Sequence, residues 1–101
     1  MKLNEKLFQG IAERFKVLGE PGRLRILDAL RDGELTVGDL VGKTGLNQAN
    51  LSKHLQLLHA LDFVARRKHG LFVYYQLAAA SVFQLFDIIC RRISLRASLH
   101  R

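Results

Sequence analysis

The chain holds a single cysteine, Cys90. That excludes an internal disulfide framework and any CxxC-type zinc site within the chain, and it fits a reducing compartment. No apolar run approaches the roughly 18 to 20 residues needed to span a bilayer, and no signal peptide opens the chain, so a cytoplasmic protein is expected and a membrane partner is not. No linker, repeat or low-complexity tract interrupts it. A phosphate-binding loop and paired carboxylates are also missing. Ser52 and His54 stand too close on one stretch to make a nucleophile and base without a third orienting group, so an enzyme is not expected. Acidic residues are scarce where it matters: from Gly42 to Ala80 the only one is Asp62, against Lys43, Lys53, Arg66, Arg67 and Lys68. A second all-basic run, Arg91, Arg92, Arg96 and Arg101, closes the sequence.

Against these absences stands a composition suited to one folded unit. With 101 residues and 49% of them hydrophobic, residues 1–101 are long enough for one domain with a core and too short for two. The formal net charge of +7 and the pI of about 10.2 exceed what solubility needs and point to a polyanionic partner.

The hydrophobic period sets the order of elements. Leu3, Leu7, Ile11, Phe15 and Leu18 recur every three to four residues and predict a first helix ending near Gly19. "EPGRLRILDALRDG" puts Pro21 in a first turn, follows with Leu24, Ile26, Leu27 and Leu30, and stops at Gly33. "TVGDLVGKTG" predicts a short third helix capped by Thr36 and ended by Gly45. Residues Asn47 to Leu61 make a fourth. After Asp62 the period turns to alternation, "FVARRK" and "LFVYYQL" about a turn at His69-Gly70, which predicts a hairpin. Val82, Leu85, Phe86, Ile89 and Ile93 mark a fifth helix. The fold class is mainly α with a β-hairpin, in the order α-α-α-α-β-β-α, with helices three and four forming a helix-turn-helix.

Helix four has two unlike sides. At about 100° per residue, Leu51, Leu55 and Leu58 form the buried stripe with His54 at its edge. Opposite lie Ala49, Ser52, Lys53 and Gln56, with Gln48 and Asn50 on the flanks and Asn47 as cap. Small residues allow close approach, and amide side chains can make paired hydrogen bonds to an adenine edge in the major groove. The hairpin adds Arg66, Arg67, Lys68 and His69 beside its turn, where a wing reaches phosphates or the minor groove. Alternation sends Arg66 and Lys68 to one face and Arg67 to the other. These residues, Asn47 to Gln56 on one side and the wing on the other, are the candidate DNA contacts. A protein-interaction module whose basic wing docks an acidic partner is the alternative; the polar, small-residue face of helix four favours DNA, since an interaction helix tends to expose an apolar anchor.

"GEPGRLRILDAL", "GELTVGDL", "LNQANLSKHLQLLHALDFV" and "RRKHGLFVYYQL" resemble successive blocks of the ArsR-type winged-helix repressors, a bacterial family that includes metal sensors. The resemblance implies a homodimer paired through its first and last helices. It implies binding to a near-palindromic operator and release by an inducer. Two departures qualify it. Where family metal sensors often carry cysteines, this chain has Thr36 and Gly38; where others bind zinc across the last helices, it has, at about those places, Ala79, Ser81 and Arg92. His100 alone does not make the three or four ligands zinc needs. No metal and no cofactor are therefore expected.

The apolar stripes of the first and fifth helices either close the monomer core or meet a second copy. A dimer is the expectation, with Leu7, Phe8, Ile11, Phe15, Val82, Phe86, Ile89 and Ile93 at or near its interface. Cys90 falls beside Phe83 at the border of the fifth helix's stripe, where a small buried hydrophobe is the simpler expectation. A redox thiol favoured by Arg91 and Arg92 is the sharper one. With no second thiol in the chain, any disulfide must be between chains or with a small thiol.

Overall fold

The computed structural model describes residues 2–99; His100 and Arg101 lie outside them. Helix α1, Glu5–Leu18, starts where the Asn4 side-chain oxygen accepts the Leu7 N–H at 3.0 Å, and stops at Gly19. Helix α2, Pro21–Ala29, opens on the pre-set φ of Pro21, with the Glu20 carboxylate accepting the Arg23 N–H at 2.9 Å. Its regular part ends earlier than the apolar period suggests: single turns carry the chain on to Gly33, whose φ of 149° favours glycine.

Strand β1, Leu35–Thr36, follows, and its two residues are too few to show an alternation in sequence. It pairs antiparallel with β3, so the expected hairpin is in fact a three-stranded sheet in the order β1-β3-β2, with β2 at Val64–His69 and β3 at Phe72–Leu77. The hairpin turn lies one residue later than the His69-Gly70 pair suggests. His69 is the register partner of Phe72, leaving Gly70 and Leu71 as the turn. Gly70 takes φ of 62° while Leu71 keeps a negative φ, the pattern of a type II′ turn with glycine first.

The two helices of the helix-turn-helix are tied by their caps. Helix α3, Val37–Thr44, opens on a reciprocal capping box: Asp39 N–H donates to Thr36 Oγ1 and Thr36 N–H to the Asp39 carboxylate, both at 3.1 Å. Gly45 ends it in the left-handed region at φ 72°. After Asn47, whose side-chain oxygen accepts the Asn50 N–H at 2.9 Å, helix α4 runs from Gln48 to Ala60. A Schellman arrangement stops it, Phe63 N–H reaching Leu58 O and Asp62 N–H reaching His59 O. Asp62, at φ 62°, serves where glycine is usual. Two residues further on, β2 begins, so recognition helix and wing are joined by a short, hydrogen-bonded corner.

The core is one cluster. Ile26, Leu27 and Leu30 of α2, Leu40 of α3 and Leu51, Leu55 and Leu58 of α4 are buried, closed from the side by Val64, Tyr75 and Phe83. The three leucines expected to face inward on α4 all do. Helix α1 buries only Val17 and Leu18 at its end, and helix α5, Val82–Leu99, buries Phe83 alone among its described side chains, with Val82, Leu85 and Phe86 half-buried against the core.

The rest of both helices leaves the body. Phe8, Ile11 and Phe15 on α1 and Ile88, Ile89, Ile93 and Leu95 on α5 are exposed, Phe15 at 53% and Ile93 at 65%. The radius of gyration is 15.5 Å, against about 13 Å for a compact chain of this length. Cys90 is consequently exposed rather than packed at a stripe border, because α5 has by then run past the core. Phe83, not the five-residue stripe, supplies the helix's anchor there.

Candidate nucleic-acid interface

The cluster beneath α4 determines what the helix shows. With Leu51, Leu55 and Leu58 held in the core, Gln48, Ala49, Asn50, Lys53 and Gln56 are exposed and Ser52 half-buried. The expected polar face is therefore brought together on the outside of one helix. Asn47 stands at its edge with its side-chain oxygen engaged in the cap. No acidic side chain lies on α4 itself, so nothing in the helix's own first turn offsets the positive end of its dipole.

His54 is placed differently. Its side chain is 17% exposed and both ring nitrogens face groups of α2: Arg23 Nη1 lies 3.1 Å from Nδ1, and Glu20 Oε2 lies 3.4 Å from Nε2. The imidazole expected among the DNA contacts is thus engaged inside the protein.

The wing divides as alternation requires. Directly opposed residues share a face, so Arg66 and Lys68 stand with Tyr75 and Val73, and Arg67 with Tyr74. Arg67 is exposed too, but its guanidinium is engaged within the sheet. Its guanidinium lies 4.7 Å from the Tyr74 ring centre and grips Glu34 with two bonds, Nε to Oε2 at 2.9 Å and Nη2 to Oε1 at 2.5 Å. A bidentate pair of this kind spans the central strand and ties β2 to the residue before β1. Arg66, Lys68 and His69 are exposed. At the tip stands Leu71, 96% exposed, with Phe72 beside it. Neither was a candidate contact, because their place at the tip depends on the turn's register.

Two carboxylates carry the electrostatics of this frame. Hydrogen bonds from Arg67 hold the Glu34 carboxyl below its usual range, against the opposing effect of burial. The N–H groups of Arg23 and Gly22 hold Glu20 low, again against burial. A depressed carboxyl stabilises the fold above its unfolded value, about 4.3 for Glu, and that contribution is lost as pH falls through the lower native value. Thermal melts of the wild type and Glu34→Gln between neutral pH and pH 3 should therefore show a wild-type advantage that closes on acidification. A gap that stays constant with pH would show that the pairing carries no charge dependence.

Residues 20–66, which span α2 to the start of the wing, match the model of the bacterial regulatory protein arsR family. An uncharacterized HTH-type transcriptional regulator of Mycobacterium tuberculosis is 36% identical over 86 residues, covering 84% of this chain and 75% of its own. Its crystal structure matches with a TM-score of 0.84 at 33% identity, covering 96% of this chain and 98% of that one. The chain belongs to the ArsR family. A solution structure from Mycobacterium bovis, described as a homodimeric winged helix-turn-helix DNA-binding domain of a possible ArsR-family regulator, is 30% identical with a TM-score of 0.77, covering 99% of this chain and 94% of its own. The transcriptional repressor BigR of Xylella fastidiosa is 32% identical with a TM-score of 0.73, covering 84% and 87%. The winged helix-turn-helix expected from the sequence is the fold that is found, and as an ArsR-family chain this is a DNA-binding transcriptional regulator.

Among the described residues no helix is long and apolar enough to cross a membrane, and no group of three or more His, Cys, Asp or Glu side chains is placed to hold a metal ion.

Proposed function

We propose that the chain is a homodimeric repressor that reads a near-palindromic operator with α4, holds phosphates with its wing, and leaves the DNA when an inducer binds. The exposed, uncharged amide face of α4 carries the reading. Gln48, Asn50 and Gln56 offer donor and acceptor pairs to base edges, while Ala49 and Ser52 allow the backbone close to the groove. Lys53, Arg66 and Lys68 contribute charge without sequence information. The M. bovis relative's description as a homodimer and BigR's as a repressor support the same assignment. Thr36, Gly38, Ala79, Ser81 and Arg92 supply neither thiolate nor imidazole nor carboxylate, so the inducer in this reading is not a metal held at those positions. No catalysis belongs to it.

Selecting bound DNA from a random pool tests the whole assignment. The expected product is a two-fold symmetric consensus with half-sites about 10 to 10.5 base pairs apart, or a multiple of that. A pool with no consensus would leave the winged helix as a protein-interaction module.

The wing has its own expected result. Replacing Arg66 or Lys68 with Ala should flatten the salt dependence of affinity by about 0.9 in log–log slope for each phosphate that is no longer neutralised. Arg67→Ala should act mainly through the stability of the sheet, because its guanidinium is held by Glu34 and Tyr74. Equal slopes in the wild type and both outer variants would make the wing structural only.

A further inference from the structure

The corner where α1 meets α2 is wired to the recognition helix. Arg23 is the junction: its Nε donates to the carbonyl of Val17 in the last turn of α1, and its Nη1 faces His54 Nδ1 on α4. An arginine nitrogen only donates, so Nδ1 is the acceptor and the ring proton belongs on Nε2. Nε2 lies 3.4 Å from Glu20 Oε2, a charge contact rather than a hydrogen bond, and the same oxygen accepts the Arg23 N–H. The imidazole thus stands between a guanidinium that donates to Nδ1 and a carboxylate beside Nε2.

Gly22 shows how closely the parts fit. A Cβ at this position would come within 3.0 Å of both His54 Nε2 and Glu20 Oε2. The start of α2 therefore lies so close to the ring that a Cβ there would fit only if the neighbouring side chains gave by a few tenths of an ångström. His54 lies only one helical turn along α4 from Asn50, and Lys53 precedes it directly, so the ring's contacts are made from within the stretch that carries the reading face.

We propose that the Glu20–His54–Arg23 bridge is the positioning element that sets α4 against the end of α1, so that base-specific readout depends on how α1 is seated. His54 is then a positioning residue and touches no base. The inference rests on the operator-binding reading and adds to it a route by which events at α1 reach the DNA-contacting face. A bridge built of two charged groups and one imidazole has a directional geometry that an apolar contact lacks. Arg23 also satisfies a carbonyl at the end of α1 that has no partner within its own helix.

The test is the ratio of affinities for operator and random DNA, measured on the full chain. His54→Leu removes both ring contacts while leaving apolar bulk. Arg23→Lys keeps the charge but has one nitrogen for two acceptors. Each should lower the ratio by about tenfold, the middle of the range for residues that tune coupling between sites, while affinity for random DNA and its salt slope stay as in the wild type. His54→Gln, with one acceptor and one donor, should recover part of the ratio. Gly22→Ala, which deletes no bonding group and only crowds the ring and the Glu20 carboxylate, should lower it too and answers for any unfolding of the other variants. A ratio within twofold of wild type in His54→Leu and Gly22→Ala overturns the bridge as a positioning element. Equal losses on both DNAs overturn it as well, since general destabilisation has that signature. A wild-type chain without operator preference would overturn the operator-binding reading itself, and this inference with it.

Discussion

Placing glutamate at Phe15 or Ile89 is expected to leave a folded monomer whose operator affinity is lower by about 10² to 10⁴-fold, the gain that linking two binding modules ordinarily supplies. Both side chains are exposed in the isolated chain, and both line a cleft of about 430 Å³ between α1, α2 and α5 together with Leu24, Phe86 and Ile93. Phe8, Ile11, Ile88 and Leu95 extend the apolar surface along the two helices. Exposed apolar side chains grouped in this way are the expected association surface. The core lies elsewhere, so a charge at Phe15 or Ile89 adds no buried carboxylate to the monomer, whereas in a dimer it must be desolvated opposite an apolar partner. Sedimentation at micromolar protein gives the assembly state, and titration on full operator and isolated half-site gives the affinities. A wild type that sediments as a monomer would sink the dimer. A glutamate variant that remains dimeric would move the interface off these helices. Val82 and Phe86, half-buried against their own core, should matter less to assembly than Ile89 and Ile93.

Replacing Gln48 or Asn50 with Ala should cost about 1 to 3 kcal/mol on the operator and little on random DNA. Each amide offers a donor and an acceptor at the start of α4, the end that enters a major groove in helix-turn-helix docking. Losing a paired hydrogen bond to a base edge leaves the base unsatisfied in a water-poor contact, which is why the loss is confined to the matched sequence. Lys53→Ala should behave in the opposite way, weakening both DNAs alike and reducing the salt slope. Selection from random DNA with Gln48→Ala should relax preference at one position of each half-site. If Gln48→Ala and Asn50→Ala weaken operator and random DNA equally, the amide face reads no bases and the specificity lies in the wing or in DNA shape.

The order of the helices, the capping of α3 by Thr36 and of α4 by Asn47, and the inward turn of Leu51, Leu55 and Leu58 were all determined by the sequence alone. Each is a local matter, of period or of a side chain bonding three residues along its own chain. The basic wing and its alternation were legible for the same reason, and so was the polar face of α4, since it is what remains when the apolar stripe is subtracted. Tertiary structure decided what depends on residues far apart in the chain. The strand at Leu35–Thr36 exists because β3 offers it an edge, and two residues carry no period of their own. The hairpin register, which puts Leu71 at the tip, follows from glycine taking the first turn position. Arg67 and Arg66 are adjacent, alike as letters and both exposed, yet Glu34, 33 residues from Arg67, pairs with that one and not the other. His54 sits at the edge of the apolar stripe on a helical wheel, which leaves its direction open, and only the approach of Gly22, Glu20 and Arg23 engages it inside the protein. Cys90 follows the same logic in reverse: a helix period can say which residues share a stripe, but whether another layer lies beneath it is a property of the packed fold.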